Sequence, residues 1–220
     1  MLKNQRLIFI IAGFVTFVFF FFFSFLVGKD IFTQFDFDTT VRLQDNIPRR
    51  FDEFFSLFSL VGNFEVMLIT LLLLLMLLRN IWGVWAIFLF FIFHFVELFG
   101  KITLEHLPPP HFMLRTDLPF EFPQFYIRQE FSYPSGHSGR TMLISTMLLM
   151  LVITSRKIHW GAKAALVAGI LLFDFIMLLS RVYLGEHWTS DVIGGAMLGT
   201  SFGLLSAAIL VKGGKKYATR

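Results

Sequence analysis

The sequence predicts an all-α protein, a bundle of six helices that each cross a membrane. Several apolar runs reach the roughly 18 to 20 residues that a helix needs to span the hydrocarbon core. Hydrophobic residues make up 56% of the 220-residue chain and charged residues only 15%, which excludes an ordinary soluble domain. The polar residues lie mainly between the runs, so we expect one membrane domain over residues 1–220.

Six apolar runs define the predicted spans. The first, Leu7 to Val27, follows Lys3 and Arg6 as a signal peptide would. It is longer than the usual apolar region of a signal peptide and lacks a small-residue cleavage site, so we expect a retained span. The other runs lie at about 57–78, 82–100, 138–154, 164–183 and 191–211.

The charge distribution predicts the orientation of this bundle. With the N-terminus inside, the inner segments carry ten basic residues and no acidic one, as the positive-inside rule requires. Both termini are therefore expected in the cytoplasm, and the net charge of +4 reports topology without indicating a nucleic-acid partner. The ten basic residues are Lys3, Arg6, Arg79, Arg156, Lys157, Lys163, Lys212, Lys215, Lys216 and Arg220.

The two longest connections, about 29–56 and 101–137, both fall on the outer side, where we look for function. The first mixes charged and aromatic residues, which predicts a short amphipathic segment along the membrane interface. The second contains six of the seven prolines, which indicates an irregular, stiffened loop.

A short polar motif, Pro134-Ser135-Gly136-His137, begins the fourth predicted span. A helix N-terminus presents free N–H groups and a positive dipole end, which favour a bound phosphate. Ser135 can cap the helix or donate its hydroxyl, Gly136 permits close approach of an anion to the backbone, and His137 can carry a transferable proton. The alternative is a plain helix start with an interfacial histidine.

A second polar segment joins the fifth and sixth predicted spans and contains Arg181, His187 and Asp191. If the chain is already helical at His187, the two residues four apart share one face, and Asp191 can accept a hydrogen bond from His187. A carboxylate in this position fixes the imidazole tautomer and leaves the other ring nitrogen as a nucleophile. The guanidinium of Arg181 suits phosphate oxygens.

Lys101 ends the third predicted span at the same face, with Glu97 four residues earlier in a favourable order for an ion pair. Alone, Lys101 could be an interfacial lysine, but three spans bring a cation or a histidine to one depth, where charges are costly unless they serve a site. Asp174, two turns below Arg181, either supports that site or is a structural acid. His106 and His111 flank the proline run and could line the entry to the site, but we interpret both as solvated loop histidines.

These motifs resemble those of the type 2 phosphatidic acid phosphatase (PAP2) family, membrane lipid phosphatases related to the vanadium haloperoxidases. The family motifs are KxxxxxxRP, PSGH and SRxxxxxHxxxD. The second is intact at 134–137 and the third at 180–191. In the first, Lys101 is present but Pro108 stands where the family has arginine.

The resemblance implies a PAP2/haloperoxidase-like fold and catalysis through a phosphohistidine. His187 would be the nucleophile, Asp191 would orient it, and His137 would protonate the departing alcohol. No metal or other cofactor is implied, because fixed cations supply the positive charge that phosphoryl transfer needs. The phosphate-binding residues would be Lys101, Arg181, Ser135 and Gly136.

Two arginines could replace the one that the first motif lacks. Arg140 lies one helical turn after His137, so the helix fixes its direction, and we prefer it. Arg115, five residues after the proline run, is the other candidate.

Three functions fit these residues. The first is hydrolysis of a lipid phosphate at the outer face of the plasma or inner membrane, with phosphatidic acid, phosphatidylglycerol phosphate or undecaprenyl diphosphate as substrate. The second is transfer of the phosphoryl group to a lipid or sugar hydroxyl. The third is non-catalytic binding of a phosphate lipid, against which the intact His137, His187 and Asp191 argue. Expected partners are the lipid substrate and the surrounding membrane lipids.

Overall fold

A computed structural model describes residues 2–116, 118 and 130–211, and every regular element within these ranges is helical. The all-α prediction is confirmed. The helices are α1 Leu2–Val27, α2 Thr33–Asn46, α3 Asp52–Ser59, α4 Phe64–Leu78, α5 Gly83–Leu104, α6 Gly136–Thr154, α7 Trp160–Tyr183 and α8 Thr189–Leu210. Outside the described residues lie part of the outer connection (117 and 119–129) and the basic residues Lys212, Lys215, Lys216 and Arg220.

Among the described residues, five helices are long and apolar enough to cross a membrane: α1, α5, α6, α7 and α8. For the remaining predicted span, the prediction of one continuous helix over 57–78 is wrong, because the helix is interrupted. The turn Leu60–Gly62 ends the α3 segment, Asn63 adopts an extended backbone with ψ 153°, and α4 starts at Phe64. The two parts meet at a bend of 54°, because Gly62 and Asn63 are poor helix formers within the apolar run.

Helix α8 lies between α1 and α6 and fixes both. A Cβ on Gly199 would overlap the carbonyl of Gly139, so α6 and α8 approach more closely than side chains would permit. On the other side, Ser201 Oγ donates to the carbonyl of Gly13 in α1 at 2.8 Å. Small residues commonly allow such close packing of membrane helices, and here they align the N-terminal ends of α6 and α8.

The two ends of the bundle are composed differently. At one end, Arg6 Nε donates to the carbonyl of Val211 at 2.8 Å, and Asn80 Nδ2 donates to that of Leu210 at 3.3 Å. The start of α1, the α4–α5 connection and the end of α8 therefore meet there. The polar motifs lie at the opposite end, and the membrane side that each end faces stays a prediction.

The connection at about 29–56 contains helix α2, which contributes to the polar end. Asp36 is buried and accepts hydrogen bonds from Ser190 N at 2.7 Å and Ser190 Oγ at 2.6 Å. Burial raises the pKa of Asp36, against the lowering effect of these two bonds. The carboxylate thus satisfies an N–H group in the first turn of α8 and ties the connection to the helix that carries Asp191.

Candidate active site

The turn between α7 and α8 places His187 beside Asp191. Gly185 has a φ of +68°, and a Cβ there would overlap the carbonyl of Met113, so glycine suits the reversal of the chain. Asp191, in the first turn of α8, accepts from the backbone N–H of Trp188 through Oδ2 at 2.9 Å. The same oxygen lies 3.6 Å from His187 Nδ1, which is longer than a hydrogen bond. Because α8 begins two residues after His187, the predicted pairing on one helix face is wrong, and the turn before α8 brings the two side chains together instead.

The environment of His187 favours the neutral imidazole. Burial lowers the pKa of His187, and Lys101 and Arg181 lower it further, while Asp191 raises it by less than these combined effects. The pKa therefore lies below the usual histidine value of 6.5. An imidazole that is neutral at pH 7 can act as a nucleophile without first losing a proton.

A second histidine contacts the same carboxylate. His106 Nδ1 lies 2.8 Å from Asp191 Oδ1, and its side chain is 16% exposed. The interpretation of His106 as a solvated loop histidine is therefore wrong. Because α5 ends at Leu104 and Glu105 adopts a left-handed backbone with φ 47°, the chain turns so that His106 faces the start of α8.

The His106 contact predicts a pH-dependent contribution to stability. Burial lowers the pKa of His106, but the hydrogen bond to Asp191 and the charges of Asp191, Asp36 and Asp30 raise it above 6.5. A raised pKa gives stability that is complete below the unfolded value and is lost as pH rises through the folded value. We expect the melting temperature of wild type to exceed that of His106→Gln most near pH 5.5. The difference should shrink toward pH 9, and an equal difference at both pH values would contradict the ion pair.

The second motif contacts the third through its backbone. Ser135 N donates to the carbonyl of Asp191 at 3.0 Å, and Ser135 Oγ accepts from Ser138 Oγ at 3.1 Å. Its side chain forms no capping hydrogen bond at the start of α6, which differs from the capping role considered above. A Cβ on Gly136 would overlap the Glu97 carboxylate, so this glycine lets α5 side chains approach the α6 N-terminus.

His137 contacts Asn63, the residue at the bend between the α3 segment and α4. Its Nε2 lies 2.6 Å from Asn63 Oδ1, and its Nδ1 lies 3.5 Å from an Arg140 Nη atom. Because an amide oxygen only accepts, this pairing assigns the proton to Nε2. Asn63 was not among the predicted site residues, although a Gly-Asn pair inside an apolar run could have indicated a helix break there.

Arg140 lies one helical turn after His137 in α6. Its Nε donates to the carbonyl of Gly62 at 2.9 Å, and Nη1 lies 3.5 Å from Glu97 Oε2. Glu97 also contacts His94 Nδ1 at 3.0 Å. The predicted partner of Glu97 was Lys101, but its close contacts are these two groups. Arg140 as a phosphate ligand stays a prediction, and each of its three nitrogens already faces a protein atom.

We expect the Arg140–Glu97 pair to stabilise the fold. Removing one partner of a buried ion pair costs about 3–5 kcal/mol, since the other charge is left unpaired. Arg140→Ala should therefore lower the free energy of unfolding, measured by denaturation in mixed micelles, far more than Arg156→Ala, which removes an exposed arginine. Adding Glu97→Gln to Arg140→Ala should restore part of the loss. Equal effects of the two arginine substitutions would refute the pairing.

The cations Lys101 and Arg181 reach the same region. Lys101 Nζ donates to the carbonyls of Phe131 and Ser132, each at 3.4 Å. Arg181 is buried and pairs with Glu186.

Glu186 therefore occupies the guanidinium of Arg181, which a phosphate would also bind. Burial raises the pKa of Glu186, but the charge of Arg181 and a 2.8 Å hydrogen bond from Thr116 hold it below the usual value. A phosphate that binds Arg181 has to compete with this carboxylate.

Two further candidates lie elsewhere. Arg115 stacks over the ring of Tyr183, and its Nη1 lies 3.4 Å from the carbonyl of Ile47, so it links the connection at about 101–137 to that at about 29–56. Asp174 is buried within α7, and its support of the site stays a prediction. The described residues contain no group of three or more histidine or acidic side chains positioned for a metal ion.

Fold and site together define a class: a multi-pass helical membrane protein with histidines, a shared carboxylate and cations at one end of the bundle. A model of the PAP2 superfamily matches residues 72–215. The chain belongs to this superfamily, and the resemblance inferred from its motifs is confirmed.

Two named lipid phosphatases are similar in sequence to parts of this chain. The chain is 39% identical over 80 residues to an undecaprenyl-diphosphatase of Sulfolobus acidocaldarius, covering 36% of this chain and 34% of that protein. It is 27% identical over 74 residues to a dihydrosphingosine 1-phosphate phosphatase of Saccharomyces cerevisiae, covering 34% of this chain and 18% of that protein. The matches thus span about a third or less of these relatives.

The fold is also that of a solved structure. The crystal structure of a transmembrane PAP2-type phosphatidylglycerolphosphate phosphatase from Bacillus subtilis matches with a TM-score of 0.71. The match covers 89% of this chain and 94% of that chain at 18% identity. The predicted PAP2-like transmembrane architecture is therefore confirmed.

Proposed function

We propose that this protein is a lipid phosphate phosphatase that releases inorganic phosphate from a phosphomonoester or diphosphate lipid. The observation that carries the proposal is the convergence of two histidines on one pair of cations. His137 and His187 both lie within electrostatic range of Lys101 and Arg181. A phosphoryl group among them would meet a nucleophile, a proton donor and positive charge for its oxygens.

The reaction proceeds in two displacements. His187 Nε2 attacks phosphorus, a P–N bond forms, and the bond from phosphorus to the lipid oxygen breaks while His137 gives that oxygen a proton. Water then attacks the phosphohistidine and gives a proton to His137, the P–N bond breaks, and inorganic phosphate leaves with His187 and His137 both restored. Asp191 supports the positive charge that develops on the His187 ring.

Substrate access follows from the apolar exterior. Phenylalanines of α1 such as Phe14, Phe22 and Phe25 are well exposed, as lipid-facing residues are. A lipid embedded beside the bundle would present its phosphate at the polar end, which we place at the extracytoplasmic face of the plasma or inner membrane. Phosphatidic acid, phosphatidylglycerol phosphate and undecaprenyl diphosphate are the candidate substrates, and the similar proteins bear names for the last two.

The test is release of inorganic phosphate by the purified protein in detergent, with each of the three lipids offered separately. The expected result is release from at least one lipid, and the relative kcat/KM values rank the substrates. A parallel reaction with an added alcohol acceptor measures transfer. Folded protein that releases no phosphate from any lipid would overturn the proposal, and phosphate that reaches only the acceptor would replace hydrolysis by transfer.

A further inference from the structure

Two histidines share one carboxylate in this protein. Asp191 has no exposed surface, and its Oδ1 accepts from His106 Nδ1 at 2.8 Å. Its Oδ2 accepts from Trp188 N at 2.9 Å and lies 3.6 Å from His187 Nδ1. The direct hydrogen bond from an imidazole to Asp191 thus comes from His106, outside the third motif.

The backbone around His106 is held by Ser132, just before the second motif, and by Trp188 within the third. The carbonyl of His106 accepts from Ser132 N at 2.8 Å and from Ser132 Oγ at 3.1 Å. The next carbonyl, that of Leu107, accepts from Trp188 Nε1 at 2.9 Å. Because these bonds hold the backbone on the side of α6 and on the side of α8, the imidazole has a defined position against the carboxylate.

We propose that His106 is a positioning residue that holds Asp191 for the nucleophile His187. The role rests on the proposed phosphatase function. His106 donates its Nδ1–H to Oδ1, which fixes the plane of the carboxylate and leaves Oδ2 facing His187 Nδ1. That carboxylate then stabilises the His187 ring as the P–N bond forms. No bond to His106 is made or broken in the reaction.

The electrostatic surroundings agree with this role. The charges that act on His106 come from Asp191 in α8, Asp36 in α2 and Asp30 after α1, and the ring of Tyr133 lies 6.4 Å from its own ring. Three acidic neighbours favour the protonated imidazole, the stronger donor to a carboxylate.

A double-mutant cycle tests the proposal. Wild type, His106→Ala, Asp191→Asn and the double variant are compared by single-turnover formation of the phosphoenzyme from a ³²P-labelled substrate. We expect His106→Ala to slow phosphorylation about tenfold with KM changed by less than about twofold. In the Asp191→Asn background the same substitution should change the rate by less than about twofold, since residues that act through one another are non-additive.

Two matched variants sharpen the result. His106→Gln retains an N–H donor and should recover to within about threefold of wild type, whereas His111→Ala, which removes an exposed loop histidine, should leave the rate unchanged. If His106→Ala does not fold, His106→Phe fills a similar volume without a donor and takes its place in the cycle. Losses that multiply in both backgrounds, or no recovery in His106→Gln, would overturn the proposal. An inactive wild type would instead refute the phosphatase function itself.

Discussion

Replacement of His187 by alanine is expected to abolish phosphate release, with a loss of at least about a thousandfold in kcat, because the proposed covalent intermediate forms on this imidazole. The neutral imidazole favoured by burial and by the neighbouring cations is the reactive form. The measurement is phosphate release from the best lipid substrate, together with radiolabel retained on the denatured protein.

The label should behave as a phosphoramidate, stable in alkali and lost in acid, and should be absent from His187→Ala. The exposed His111 serves as the control, since His111→Ala should keep both label and activity. Because the pKa of His187 lies below 6.5, the acidic fall of kcat/KM should also lie below pH 6.5. Acid-stable label, or a labelled His187→Ala protein, would refute the assignment.

Replacement of His137 by alanine is expected to reduce hydrolysis of phosphatidic acid by about 10²–10⁴-fold, the usual contribution of a general acid. An alkoxide is a poor leaving group and needs that proton, whereas a nitrophenolate does not. A nitrophenyl phosphate that carries an alkyl chain should therefore lose less than about tenfold in the same variant. Each substrate is measured with variant and wild type, so the ratio of the two losses is independent of the amount of folded protein.

Asn63→Ala should show the same selectivity in weaker form, because it removes the 2.6 Å contact to His137 Nε2 and leaves the imidazole in place. Equal losses on the alkyl and nitrophenyl phosphates would show that His137 acts in binding or packing. Loss confined to the nitrophenyl compound would contradict proton donation outright.

Local spacing explains how much of the site could be predicted. His187 and Asp191 are close in sequence, so their proximity follows from the local turn before α8, although α8 starts only at Thr189 and the two residues do not share a helix face. The PSGH motif starts α6 as expected, since α6 begins at Gly136. The long apolar runs became helices because a membrane leaves the backbone few other ways to satisfy its hydrogen bonds.

Contacts between distant segments could not be predicted in this way. Glu97 has the spacing for an ion pair with Lys101, yet its closest cation is Arg140, 43 residues later. His106 reaches Asp191 across 85 residues, and Asp36 reaches Ser190 across 154. These pairs depend on how the helices pack and where the chain turns.

The sequence by itself determined the class of protein, its membrane helices and the residues of its motifs, because apolar run length and motif spacing are local features of the chain. Only the tertiary structure decided which side chains support those motifs. The bend at Asn63 brings that residue to His137, and the turn at Glu105 brings His106 to Asp191. Both contacts join residues far apart in the chain, so helical periodicity, which acts over short stretches, could not indicate them.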